Sequence, residues 1–254
     1  MRLSPGQTVY RLAPGDLVAP ADPNAASSSS GARLSLRLGG ERAIALDDGE
    51  AAIPDIATPD EGVIEWVDGA GEVICRASVE IVAGHYFALD ELVAYGDGRD
   101  DFAEMSEEDI FMARQVATET FEANARRSFT RRLGSTPYYG AGFVELSHND
   151  VREMMTDGMK MVSDCQCVPS GPVTGVTEIE YVYGLDHVPA PVSRAVLTLA
   201  AYILRPTNRP IGATGESTEG GYIHFTTAGR DGATDVPEVN AAIAQYGRSP
   251  RCMR

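Results

Sequence analysis

The residues best suited to chemistry in this chain are two thiols one residue apart, Cys165-Gln166-Cys167, preceded by Asp164. A structural zinc site pairs cysteines across two to four residues and completes itself with a second Cys/His pair. Here a single residue separates the thiols, and His85, His148, His187 and His224 each stand alone in the sequence. No metal is expected. Gly215-Glu216-Ser217-Thr218-Glu219 opens like a nucleophile elbow, but it lacks the closing glycine and follows a Thr/Gly-rich loop rather than a strand. Asp47-Asp48 and Asp100-Asp101 fall in turn-like stretches, where Asp is favoured for backbone reasons. Neither a GxxxxGKS/T nor a GxGxxG phosphate loop occurs, so nucleotide binding has no support. These residues predict a protein that is not an enzyme, with no catalytic residue, cofactor or metal.

Composition narrows the class further. The chain has 254 residues and a formal charge of −16, unevenly spread. Residues 1–110 hold 22 acidic and 7 basic side chains, giving −15, whereas residues 111–254 hold 15 and 14, giving −1. Two regions with different surface roles are expected. A surface this acidic does not grip nucleic acid through phosphates, which requires clustered Lys and Arg, but it can line a passage through which DNA slides. Met1 to Gln7 is polar, unlike a secretion signal, and the apolar run Ala195 to Leu204 is too short to cross a bilayer. The chain is expected in the cytosol at synthesis, with Cys75, Cys165, Cys167 and Cys252 reduced.

The elements that would position these residues fall into two parts. Residues 1–98 read as a small, acidic, β-sandwich-like domain. Thr8 to Leu12 and Arg33 to Leu38 alternate with period two, and Val63–Val67 and Glu72–Arg76 flank the hairpin turn Asp68-Gly69-Ala70-Gly71. Ser78 to Val82 predicts a further strand, Trp66 a core residue, and Ala21 to Gly31 a flexible loop or arm. The polar stretch Gly96 to Asp101 marks a boundary.

Residues 102–254 predict a mainly helical domain with an inserted β-hairpin and long loops, an α+β chain in all. Ser106 is a good N-cap, and Ile110, Ala113, Ala117, Phe121 and Ala125 form a stripe, with Arg126 and Arg127 in the last turn. A second helix runs from Pro191 to Pro206, with Val192, Ala195, Val196, Leu199, Ala200 and Ile203 on one face. A third begins with an Asp235-x-x-Glu238 capping box, buries Val236, Val239, Ile243 and Tyr246, and stops at Gly247. Between the first two, Phe143 to Leu146 and Val173 to Val182 read as strands. Asn149 to Met161 fits either a strand pair or a Met-rich helical segment, with its methionines in a core or a ring interface.

The ordered set Tyr181-Val182-Tyr183-Gly184, Val188-Pro189 before an Ala/Leu-rich helix, Glu216-Ser217-Thr218-Glu219-Gly220-Gly221 before a hairpin, and Asp235-Val236-Pro237-Glu238-Val239-Asn240 before a basic tail resembles the head-to-tail adaptor (connector) proteins of long-tailed bacteriophages. The likeness is greatest to phages of actinobacteria. Ala113-Arg114, Phe121-Glu122, Arg127-Ser128-Phe129 and Arg131-Arg132 extend it, so that it covers Phe102 to Arg254. Asp235 stands where such segments often carry Gly, and Asn240 where they often carry Asp.

The resemblance implies a virion protein of the head–tail junction that forms a homo-oligomeric ring, commonly of twelve copies. Its partners would be the portal protein and the downstream connector or tail-terminator protein, with genomic DNA only as transiting cargo and no membrane. It also implies that Gly247, Arg248, Pro250, Arg251 and Arg254 form a portal-docking tail, ordering on a partner as basic segments can. Two other readings compete. One is a carbohydrate-acting hydrolase with Trp66, Tyr86, Tyr138 and Tyr139 as stacking faces; the other is a different tail or decoration protein.

Overall fold

In the computed structural model the described residues are 1–95, 102–140, 142–171, 175–205, 215–218, 221–224 and 232–248. Their elements are β1 (Arg2–Leu3), β2 (Val9–Leu12), β3 (Leu17–Pro20), α1 (Pro23–Ser28), β4 (Gly31–Leu36), β5 (Gly40–Ile44), β6 (Leu46–Asp47), β7 (Glu50–Ala52), β8 (Asp60–Val67) and β9 (Val73–Ile81). Then follow α2 (Leu89–Tyr95), a single 3-10 turn at Phe102–Glu104, α3 (Glu107–Ala125), β10 (Arg132–Pro137), β11 (Val144–Glu145), β12 (Val151–Met154), β13 (Met159–Ser163), β14 (Gln166–Pro169) and β15 (Glu178–Tyr183). The last are α4 (Ala190–Leu204), β16 (Gly215–Thr218), β17 (Gly221–His224) and α5 (Pro237–Tyr246). The chain is thus mixed α+β with several sheets.

These elements form two compact units built from alternating stretches, residues 1–85 with 128–187 and residues 86–127 with 188–254. Consecutive domains at 1–98 and 102–254 are not what is seen. Residues 128–187 are drawn to the first unit by specific bonds: the Ala83 N–H donates to the Arg131 carbonyl at 3.2 Å, and the Arg132 guanidinium meets Glu80. The expected boundary, 96–101, lies outside the described residues.

In the first unit a five-stranded sheet runs β2-β9-β8-β4-β5, with β2 parallel to β9 and the other pairs antiparallel. Period-two sequence produces it directly. Along β4 the inward residues Ala32, Leu34 and Leu36 alternate with half-buried ones, and along β8 Ile64 and Trp66 point the same way and are fully buried. The hairpin at 68–71 is present, with the Asp68 carboxylate accepting from the Ala70 and Glu72 N–H groups. β9 continues through the predicted break before Ser78 as one nine-residue strand. Pro23–Ser28, expected as an arm, is instead a short helix capped by Asp22.

Residues 132–183 correct the expectation of a mainly helical second part. They form two three-stranded antiparallel sheets, β10-β15-β12 and β11-β14-β13. Within Asn149–Met161 the chain forms two strands, β12 and β13, which pair not with each other but with β15 and β14; between them the chain turns at Gly158, φ 77°, before Met159 enters a shared core. That core holds Tyr138, Leu146, Val151, Met159, Cys167, Ile179, Tyr181 and Tyr183.

The second unit is helical. Ser106 caps α3 by accepting from the Asp109 N–H at 3.1 Å, and all five residues of the predicted stripe are buried. The helix stops two residues early: Arg126 is the C-cap at φ 56°, so neither arginine lies in the last turn. On α4, Pro189 is the N-cap and the stripe is buried up to Ala200, whereas Ile203 is 41% exposed. α5 departs most. Pro237 has no N–H to satisfy and fixes φ, so the helix starts there with Val236 as N-cap, too late for an Asp235 box. Thr234 and Asn240 instead brace the entry, the Thr234 N–H donating to Asn240 Oδ1 and Asn240 Nδ2 to the Thr234 carbonyl, each at 2.8 Å. Val239 and Ala242 carry the buried face; Val236, Ile243 and Tyr246 are half-buried.

Candidate docking surface

The residues assigned to a docking tail begin where two helices end. Gly247 closes α5, its N–H donating to the Ile243 carbonyl at 2.8 Å. A Cβ at this position would lie 2.5 Å from that oxygen and 3.1 Å from the Ala125 backbone, so only glycine allows the approach. The Arg248 N–H donates to the Ala125 carbonyl at 2.8 Å, and the Arg127 guanidinium donates to the Tyr246 carbonyl at 3.1 Å. Two helix C-termini, each the negative end of its dipole, therefore share one corner with Arg126, Arg127 and Arg248. Gly247 and Arg248 belong to this folded corner. Pro250, Arg251 and Arg254 lie outside the described residues.

A groove of about 410 Å³ lies in the same unit between the start of α3 and the end of α4. It is lined by Met105, Asp109, Met112, Ala113, Val116, Ile203 and Leu204. Its exposed apolar wall follows from the two helix patterns. Val116 lies off the α3 stripe, and Ile203 continues the α4 stripe beyond the point where a neighbour covers it. Sequence periodicity predicted the stripe but not where its cover ends.

The first unit brings together polar groups that are far apart in sequence. Glu80 is buried between two arginines, with Arg11 Nε at 3.3 Å and Arg132 Nε at 2.5 Å. The Asp60 carboxylate accepts from the N–H groups of Leu38, Gly39 and Glu61. The Tyr181 hydroxyl meets Thr136 Oγ1 and His148 Nδ1, both at 2.9 Å, while the His148 ring stacks on Tyr183 with centroids 4.0 Å apart. Gly134 makes room, because a Cβ there would fall within 3 Å of all three rings. Burial pushes the Tyr181 hydroxyl above its ordinary value, which suits a structural hydrogen bond better than proton transfer.

Sequence spacing could not have found these clusters, since most of the partners lie far apart along the chain. His148, isolated in the chain, is an example; His85 is another, its Nε2 lying 2.7 Å from Asp16 Oδ2. Cys167 is fully buried in the apolar core and burial raises its thiol, whereas Cys165 sits in the β13–β14 turn. Among the described residues no three His, Cys, Asp or Glu side chains are grouped so as to hold a metal ion. Of the aromatic faces considered for a sugar, Trp66, Tyr86 and Tyr138 are buried and only Tyr139 stands open, at 90% exposure. No described helix is long and apolar enough to cross a membrane. Compared with protein-family models and with curated proteins, the chain matches none.

Proposed function

We propose that this chain is a non-enzymatic subunit of the neck of a long-tailed bacteriophage, joining the portal of the DNA-filled head to the next connector or tail protein. The observation that carries this reading is the corner where α3 and α5 end. Arg248, the first arginine of the basic sequence, is held there at a doubly bonded root, Arg248 on Ala125 and Arg127 on Tyr246. Fixing that arginine in place lowers the ordering cost of binding a partner. The sequence resemblance supplies the partner's identity, the portal ring. It also supplies the assembly, a closed ring with one face of each copy on a different face of the next. In that ring acidic side chains that face the channel let DNA pass without adhering, and the β-rich amino-terminal region lies on the outside.

The root sets where the decisive truncation must fall. Removing Gly247 and Arg248 would unseat α5, so the chain is cut after Arg248. The shortened protein should fold with an unchanged melting temperature and fail to join filled heads to tails in an extract-complementation assay. Normal joining by that protein removes the docking role; a chain that binds no portal at any length removes the neck reading.

A further inference from the structure

The helical unit has chemically opposite ends. At the start of α3, Glu104, Glu107, Glu108 and Asp109 are all exposed, with Arg205 beside Leu204 as an opposing charge. At its finish stand Arg126, Arg127 and Arg248, brought together by the Ala125 and Tyr246 carbonyls. α3 has 19 residues, so about 28 Å of rigid helix separates the two ends. Each end also has an apolar centre. The acidic end holds the groove, where Val116 and Ile203 are each 41% exposed; the basic end holds half-buried Ile243 and Tyr246.

We propose that these ends bind each other between copies. The groove of one chain receives the Ile243–Tyr246 corner of a second copy, with Arg126, Arg127 and Arg248 against Glu104, Glu107, Glu108 and Asp109. Charge complementarity around a desolvated apolar centre gives such a contact both orientation and affinity. Helix α3 holds the two ends apart, so a chain cannot satisfy its own groove with its own corner. The contact is heterologous: every pair leaves one groove and one corner for further copies, and growth continues until a ring closes. This self-association rests on the neck reading and deepens it by naming the two faces that its ring contact joins; it is measured without a portal, so its failure is distinguishable from failure to bind one.

Sedimentation velocity on the full chain over a concentration series tests it, using wild type, Val116→Lys in the groove, and Arg248→Glu at the corner. Wild type should form species beyond the dimer, weakening as salt is raised. Each variant alone should associate at least ~10-fold more weakly. An equimolar mixture should recover a one-to-one dimer and stop there, because it retains one intact corner and one intact groove. Ile203→Lys and Arg126→Glu repeat the pairing if either first variant fails to fold by circular dichroism. Wild type that stays monomeric up to about 1 mM, a concentration at which even weak specific contacts are populated, overturns the proposal. Variants that associate like wild type overturn it too, and a mixture that recovers nothing overturns the head-to-tail pairing.

Discussion

The two units differ in what they leave exposed. The first buries charge and resolves it internally: Glu80 between Arg11 and Arg132, Asp60 in a nest of backbone N–H groups, Tyr181 among Thr136, His148 and Ser135. Its exposed apolar side chains, such as Val9, Leu17, Val73 and Val162, belong to different strands. The second unit also buries charge, Arg114 and Glu122, the Glu122 carboxylate accepting from the Tyr86 hydroxyl at 2.7 Å, but it exposes Val116 and Ile203 at one groove and carries acidic and arginine-rich ends on one helix. A region whose polar groups already satisfy one another has little to gain from a partner. A region with an apolar groove and polarised ends does. The contrast suggests where assembly energy is held in this molecule.

The sharpest way to break that contrast is to remove the charge that the first unit depends on. Glu80→Ala leaves two arginines, one of them deeply buried, without the carboxylate between them, and should cost about 3–5 kcal/mol in chemical denaturation. A loss below ~1 kcal/mol would mean that the buried charges are not a lock. Next in size is Gly184→Ala. The residue has φ 103°, and a Cβ would lie 2.1 Å from the Thr130 carbonyl oxygen. It should lower stability by more than ~2 kcal/mol, and thermal melting reads this directly.

Ser106→Ala removes the α3 cap and should cost ~1 kcal/mol by denaturant midpoint, a test of whether the helical unit depends on local signals. A smaller effect is expected at Glu61, whose pKa is raised above the usual 4.5 by burial and by Glu80 and Asp60, against Arg37 and Arg132. With a raised folded-state value the folded chain holds the proton longer than the unfolded one, so stability falls as pH rises through the window above 4.5. Glu61→Gln should therefore match wild type at pH 4 and exceed it at neutral pH. The gain should be only ~0.3 kcal/mol, because the side chain is half exposed. A gain that persists below pH 4 (about half a unit under the ordinary carboxylate value) would assign it to something other than charge. Smallest of all, Val116→Ser should change the melting free energy by less than ~0.5 kcal/mol, since the groove wall is not part of the core. A large loss there would make the groove a core defect rather than a docking surface.

Local rules carried much of the fold. Period-two alternation around Leu34 and Ile64, the Asp68–Gly71 turn, the Ser106 cap and the Gly247 stop each depend on residues within a few positions of one another. They were legible for that reason. The short strands of 132–183 were not, because strands of two to six residues carry little periodicity and are stabilised by partners far along the chain. α5 shows the limit at a single residue: Asp235 and Glu238 have capping-box spacing, but Pro237 between them decides the start. At the candidate site the arginines and Gly247 could be read directly; the groove could not, because exposure of Ile203 depends on how far α3 covers α4.

Taken alone, the sequence determined that this protein has strands with one buried face, amphipathic helices with defined ends, an acidic front half and a basic final segment. Side-chain chemistry and spacing are sufficient causes for those features. Tertiary structure decided which stretches share a core, that Glu80 sits between Arg11 and Arg132, and that α3 separates an acidic groove from a basic corner. Those outcomes need residues from distant positions to meet, and such meetings are fixed only when the whole chain buries its apolar surface at once.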